Sequence, residues 1–226
     1  MRKWGIVISV FYAVILLMVL FPMVYGPLAA GSWPFSGGFV KGLVGFYQGD
    51  SIIWIPIVIV LLGQTLLLFL SVDTSFKKLK PRAHVAVTAV VASMLFALLA
   101  FFAICSIDGA VRGDKFGNGY LDTGWEFLGL CVGLWVLWGV VFYLYVRNST
   151  QVVTRAVSWL LKGSVLELLI AVPCHVIARR RGDCSAPAVT SFGIVTGIAV
   201  MLLAFGPSVL FLYKKRLDAY TARPSK

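Results

Sequence analysis

The sequence predicts an all-α protein whose helices cross a membrane as one polytopic bundle. Hydrophobic residues make up 60% of its 226 residues and charged residues only 13%, about half the charged share of a typical soluble domain. The apolar residues gather in six long stretches, and a helix needs about 20 of them to cross the hydrocarbon core of a bilayer. Of the 20 lysines and arginines, Lys162 alone falls inside a stretch. We therefore expect lipid to cover this bundle, and the lipid bilayer is its first predicted partner.

The six stretches leave too little sequence for a second domain, so residues 1–226 are predicted to form a single transmembrane helical domain. The first stretch follows two cations as a signal peptide would, but it is longer than the about 7–15 residues of a signal h-region, so we expect it to remain as a span. The fifth stretch is the least apolar, and a bundle of five spans, in which that stretch does not cross, is the alternative. The six predicted spans are Gly5–Tyr25, Ile52–Leu70, Ala83–Cys105, Trp125–Val146, Ser158–Ala178 and Ala188–Tyr213.

The lysines and arginines between the spans predict a cytoplasmic N-terminus. With six spans, this orientation places 14 of the 20 cations inside and six outside, which is the asymmetry that the positive-inside rule describes. Five spans would place 12 inside and eight outside. We expect the membrane to be the bacterial cytoplasmic (inner) membrane. The net charge of +11 does not predict nucleic-acid binding, because the cation clusters lie beside span ends, where such cations contact lipid headgroups.

Two connections between spans have recognisable patterns. In the first, Phe39, Leu43 and Phe46 recur at the spacing of one helical face, which predicts a short helix in the membrane interface. A re-entrant segment is the alternative there. The second, Ser106–Gly124, mixes charged residues with glycines and is predicted to be a solvated loop.

Glu167 is the main candidate for a functional polar group, because it falls near the middle of the fifth predicted span. An ionised carboxylate there costs about 3 kcal/mol even on the mild insertion scales, so we expect Glu167 to face the bundle interior and to be paired or protonated. Lys162 and Gln64, the latter in the second span, are the candidate partners. Two interpretations stay open. Glu167 is either a proton relay or cation site, or a protonated acid that serves only assembly.

A second, weaker candidate combines Cys174, His175 and Cys184. Under six spans all four cysteines of the chain lie near the outer leaflet, the side on which disulfides persist in a bacterial envelope. Structural thiols, a disulfide, a redox-active pair and a metal site with His175 are all conceivable. Cys174 follows Glu167 by seven residues and is expected on the same helical face. The spacing of Cys174 and Cys184 matches no known zinc or thioredoxin motif, which favours a structural role.

Two further features concern lipid and helix contacts. Arg179, Arg180 and Arg181 are candidate contacts to phosphate headgroups at the hairpin that follows the fifth span. The glycine pairs at the ends of Gly129–Gly133 and Gly193–Gly197 fit the small-residue motif for close helix packing. These faces are expected to contact helices of the same bundle or of other membrane subunits.

The motifs of phosphate loops, dinucleotide sites, serine hydrolases and zinc proteases are missing from the sequence. We therefore assign no catalytic residue, no metal ligand set and no cofactor. The sequence favours a non-enzymatic integral membrane protein, either an accessory subunit of a membrane complex or a small channel-like or transporter-like bundle. The alternative is an envelope protein that handles thiols or metal ions through Cys174, His175 and Cys184.

Overall fold

The computed structural model describes residues 2–30, 39–49, 54–74, 82–115, 124–146 and 152–221. Within these ranges the chain is helical except at residues 182–185. The helices are α1 (Arg2–Val14), a π-helical stretch (Ile15–Tyr25), α2 (Gly26–Ala30), α3 (Phe39–Gly49), α4 (Trp54–Thr74), α5 (Arg82–Arg112), a short 3-10 turn (Gly113–Lys115), α6 (Gly124–Val146), α7 (Val152–Arg181) and α8 (Ala186–Thr221).

The centre of the bundle is formed by α5, α7 and α8, which pack against one another along their lengths. Leu95 of α5, Leu160 of α7 and Leu203 of α8 are completely buried there. In a bilayer, lipid is as apolar as leucine, so close packing rather than the hydrophobic effect holds such helices together. The prediction of an all-α polytopic bundle is confirmed.

The remaining helices surround this centre. α6 packs on α5, α4 packs on α5 and α1, and the π-helical stretch packs on α8. The hydroxyl of Tyr12 in α1 donates a hydrogen bond to the carbonyl oxygen of Ala199 in α8. Only 6% of Leu128–Tyr145 in α6 is buried, against 61% of Ala186–Phe205 in α8, which makes α6 the peripheral helix.

Among the described residues, five helical segments are long and apolar enough to cross a membrane: Gly5–Ala29, Val85–Arg112, Leu128–Tyr145, Val152–Arg181 and Ala186–Phe205. The fifth predicted stretch, the one that sequence left in doubt, is among them as part of the single 30-residue helix α7. The second predicted span forms α4, whose described apolar part, Trp54–Leu67, is shorter than a span. The count of six spans and the cytoplasmic N-terminus therefore stay predictions.

The helix ends differ from the predicted spans. α5 continues beyond Cys105 to Arg112, so the prediction of a solvated loop from Ser106 is wrong for its first seven residues. Asp108 and Arg112, one turn apart, form an ion pair of 2.8 Å on this extension, and such pairs support helices. α5 ends where Gly113 adopts a φ of 62°, a conformation that glycine adopts without strain.

The predicted short helix is present as α3, and its position in the membrane interface stays a prediction. Phe46 of α3 packs edge-on against Tyr25, with ring centroids 6.0 Å apart. The hydroxyl of Tyr47 donates to the carbonyl oxygen of Leu17 at 2.7 Å. Burial raises the pKa of Tyr47 to about 12. These contacts tie α3 to the first span.

Candidate polar site between α5, α7 and α8

One face of α7 runs along the centre of the bundle and carries both ionisable residues of the candidate site. Toward the start of α7 this face carries mainly aliphatic residues. Toward the end of α7 it carries Glu167 and His175, which are only 2% and 7% exposed. Cys174, seven residues after Glu167, is half-buried, and a spacing of seven keeps it near the same stripe of the helix. His175, the next residue, is the more deeply buried of the two. The buried positions are Val152, Val153, Ala156, Val157, Leu160, Gly163, Ser164, Glu167, Ala171, His175 and Ala178.

Glu167 lies against α8, as a buried carboxyl group should. Its Oε1 is 3.0 Å from the hydroxyl oxygen of Thr196. Its Oε2 is buried and has no hydrogen-bond partner among the described residues. A Cβ added to Gly197 would lie 3.1 Å from Oε2, so this glycine makes room for the carboxyl group. One oxygen of the carboxyl group is therefore bonded across the helix interface and the other is unsatisfied.

The surroundings of Thr196 bear on the protonation of Glu167. Its hydroxyl oxygen lies 2.7 Å from the carbonyl oxygen of Phe192 and 3.2 Å from that of Gly193, yet a hydroxyl has only one proton to donate. An ionised Glu167 would compete with these carbonyls for that proton. A protonated Glu167 can donate to the hydroxyl oxygen while the hydroxyl donates to Phe192. Both short contacts then become hydrogen bonds, so the geometry favours the protonated acid.

Neither predicted partner bonds to Glu167. Lys162 is exposed, and its ammonium lies 5.6 Å above the ring of Trp159, one turn nearer the start of α7. Long side chains of helices lean toward the N-terminus, and lysine reaches for the membrane surface. Gln64 is buried, but neither its amide oxygen nor its amide nitrogen has a partner in the part of the chain that the structure describes. The actual partner, Thr196, was missed because a threonine in an apolar helix carries no distinctive sequence signal.

A second oxygen without a described hydrogen-bond partner belongs to α5 and packs against the same face of α8. The hydroxyl oxygen of Ser106 in α5 is buried without a partner in the described ranges, and it would lie 2.6 Å from a Cβ added to Gly193. Gly193 and Gly197 are one helical turn apart, where Cβ positions are separated by about 5–6 Å. Ser106 and Glu167 therefore present unsatisfied oxygens at successive turns of α8. The predicted close-packing role of these two glycines is confirmed.

His175 continues the row of polar groups toward the end of the bundle. Its Nδ1 is 2.9 Å from the hydroxyl oxygen of Thr190, which also lies 3.0 Å from the carbonyl oxygen of Ala186. When that hydroxyl donates to the carbonyl, it accepts from a protonated Nδ1. We use the name polar seam for the five buried residues that this row comprises: Ser106, Glu167, His175, Thr190 and Thr196.

The candidate thiol and metal-binding residues do not form a disulfide or a metal site within the described ranges. None of the four cysteines, all of which lie in described ranges, forms a disulfide. No group of three histidine, cysteine or acidic side chains is arranged around a common metal position within the described ranges. Cys105 is buried, Cys174 is half-buried and Cys184 is exposed. His175 contacts Thr190, and the three candidate residues do not form a metal-binding group within the described ranges.

Arg179, Arg180 and Arg181 lie in the last turn of α7, at what we call the upper end of the bundle. Arg179 donates to the carbonyl oxygens of Pro27, at 3.2 Å, and Leu28. Arg181 donates to the carbonyl oxygen of Gly109 at 3.1 Å, and forms an ion pair of 3.0 Å with Asp183. Helix ends leave carbonyl groups unsatisfied, and these two guanidinium groups satisfy some of them. All three predicted headgroup contacts are exposed, and Arg180 is the one for which the described residues provide no hydrogen bond or ion pair.

A cavity of about 220 Å³ lies between α4, α5 and α6, apart from the polar seam. Its lining is apolar except for the thiol of Cys131 and the indole of Trp135, and none of its lining residues belongs to the seam. The cavity is therefore separate from the polar seam, whose five residues are buried. The cavity is lined by Ile59, Met94, Ala97, Leu98, Phe101, Cys131, Val132 and Trp135.

The chain matches no protein-family model, no curated protein and no solved structure.

Proposed function

We propose that this chain is a small, non-enzymatic, transporter-like bundle in which protons move along the polar seam and Glu167 is the group that binds and releases them. The observation that carries the proposal is the state of the Glu167 carboxyl group. It is 2% exposed, its Oε1 is bonded to Thr196, and its Oε2 has no partner among the described residues. Ionisable groups in membrane spans are costly, and by default they are candidates for ion or proton pathways.

A proton is the transported species that a closely packed interface can accommodate. Gly193 and Gly197 of α8 leave little more room than the oxygens of Ser106 and Glu167 need, and a larger solute would need an open, hydrated pathway. Protons move between hydrogen-bonding groups through short links, including single bridging waters. A bridging water needs two to four polar partners, and the two unsatisfied oxygens at successive turns of α8 supply that kind of partner. We propose the bacterial cytoplasmic membrane, with the N-terminus inside, as its location.

The test is proton flux into proteoliposomes that contain an entrapped pH-sensitive dye. A pH step applied outside should acidify the lumen faster with the wild-type protein than in protein-free vesicles. Glu167→Gln keeps the size of the side chain and its contact with Thr196 but removes the titrating proton, so its flux should fall to the protein-free rate. Ser93→Ala is the matched control, because Ser93 is buried in α5 with its hydroxyl donated to Val90 at 2.8 Å. Equal flux from the wild type and Glu167→Gln would refute the proposal.

A second candidate is an accessory subunit that binds a partner helix through α6. Nothing described lies within 4 Å of a Cβ added to Gly129 or Gly133, whereas Gly193 and Gly197 are already used inside the bundle. The small-residue motif on α6 is thus open to a helix from another chain. Gly133→Leu should abolish capture of such a subunit while leaving the isolated bundle folded. Unchanged capture by this variant would exclude α6 as the contact. The thiol or metal alternative has no comparable geometric support.

A further inference from the structure

A second group of cations, apart from the arginine run at the end of α7, lies at the lower end of the bundle, where α6 ends and α7 begins. Arg155 lies three residues after the first residue of α7, and its guanidinium carbon is 5.7 Å from the centroid of the Tyr145 ring in α6. The rings of Tyr145 and Trp159 meet edge-on with centroids 5.7 Å apart. Lys162 lies 5.6 Å above the Trp159 ring. We use the name cation–aromatic patch for these four residues, Tyr145, Arg155, Trp159 and Lys162.

The cation–aromatic patch faces away from the bundle. Tyr145 is 44% and Trp159 38% exposed, and Arg155 and Lys162 are both exposed. Neither cation forms an ion pair with an acidic side chain in the part of the chain that the structure describes. This differs from the upper end, where Arg179 and Arg181 bind carbonyl groups of their own chain. The charge of the patch is therefore available to an external anion.

Its position selects a lipid headgroup as that anion. Tyr145 and Arg155 mark the ends of two spanning helices, and tyrosine and tryptophan rings prefer the headgroup level of a bilayer. Lys162 lies two turns further along α7, but its ammonium lies over the ring of Trp159, nearer the start of the helix, as expected of a lysine that reaches for the membrane surface. We therefore expect both charges to reach the depth at which lipid phosphates lie. The partial positive charge at the start of α7 adds to the attraction.

We propose that the cation–aromatic patch is a binding site for an anionic phospholipid. Arg155 and Lys162 would bind the headgroup phosphate, and the two rings would hold the cations in place while packing against the upper acyl region. The proposal is independent of the proton pathway, because none of the four residues belongs to the polar seam. Under the predicted topology this end faces the cytoplasm, where the anionic leaflet strengthens such contacts.

Native mass spectrometry of the full chain in detergent tests the proposal, with phosphatidylglycerol and phosphatidylcholine as the two probes. The wild type should retain phosphatidylglycerol in preference. Because each cation near an anionic surface contributes about 1 kcal/mol, the double variant Arg155→Gln, Lys162→Gln should bind phosphatidylglycerol about thirtyfold more weakly. Its binding of phosphatidylcholine should be unchanged, which also shows that it is folded.

Two further variants sharpen the result. Lys115→Gln removes an exposed cation that lies outside the patch and should leave the preference intact, and Arg155→Lys with Lys162→Arg should restore it. Equal retention of both lipids by the wild type would overturn the proposal. A loss in Lys115→Gln as large as that in the double variant would do so as well, since the effect would then follow net charge rather than the patch.

Discussion

The hydrogen bond between Thr196 and Glu167 offers a quantitative test of the polar seam. Thr196→Val replaces the hydroxyl by a methyl group of similar size, so packing against α7 is kept while the contact at 3.0 Å is lost. Hydrogen bonds between membrane helices average about 0.6 kcal/mol and reach about 1.7 kcal/mol. Because Oε2 already has no described partner, the variant leaves the whole carboxyl group unsatisfied, which adds a cost of about 1–3 kcal/mol. We expect a total destabilisation of about 2 kcal/mol.

The assay is equilibrium unfolding in mixed micelles, followed by tryptophan fluorescence, arranged as a double-mutant cycle. In a Glu167→Leu background there is no carboxyl group for Thr196 to bond. The destabilisation caused by Thr196→Val should therefore shrink to a few tenths of a kcal/mol. The coupling energy should therefore be about 1–2 kcal/mol. Thr65→Val is the control, because the Thr65 hydroxyl donates to the carbonyl oxygen of Leu61 in its own helix at 2.8 Å. Equal costs of Thr196→Val in the two backgrounds would refute the assignment of Thr196 as the partner of Glu167.

Three other predictions follow from the packing. Gly163→Ala should destabilise the bundle by about 1–3 kcal/mol, because the added Cβ would lie 2.5 Å from a buried phenylalanine ring. Gly133→Ala should be neutral or slightly stabilising in the same unfolding assay. Equal destabilisation by Gly163→Ala and Gly133→Ala would contradict this packing. In native micelles a maleimide should label Cys184 quickly and Cys105, which is 1% exposed, only after denaturation; rapid labelling of both would count against the burial. Burial raises the pKa of Tyr47 to about 12, above its unfolded value of about 10, so its contribution to stability should be complete below pH 10 and lost as the pH rises through 12. Tyr47→Phe should remove this loss of stability at alkaline pH. The same dependence of stability on pH in the variant and the wild type would refute the prediction.

The fold class could be predicted because the solvent imposes it. A chain in lipid must satisfy its backbone hydrogen bonds within each segment, so long apolar stretches indicate helices without knowledge of their neighbours. The ends of these helices were less predictable. The extension of α5 to Arg112 depends on a local ion pair and on Gly113, which hydropathy does not register.

The candidate site was only half predictable. The cost of a charge in lipid indicated that Glu167 is buried, and the structure agrees. Its contact with Thr196 depends on how α7 and α8 are rotated against each other, which follows from the packing of Gly193 and Gly197. Gly133 belongs to the same sequence motif yet lies on an exposed face of α6. Such a motif identifies a surface suited to close packing, and only tertiary structure decides whether a neighbour in the same chain uses it.

Infrared difference spectroscopy of the carboxyl C=O stretch tests the central claim most directly. The spectra of the wild type and Glu167→Gln in lipid vesicles at neutral pH would be subtracted, so that the other carboxyl groups cancel. A protonated Glu167 that exchanges protons with the medium should give a carboxylic acid band that is lost in the variant and shifts in heavy water. A difference spectrum that contains only carboxylate bands would mean that Glu167 is ionised and held by a charged partner. That result would contradict the polar seam as a proton pathway.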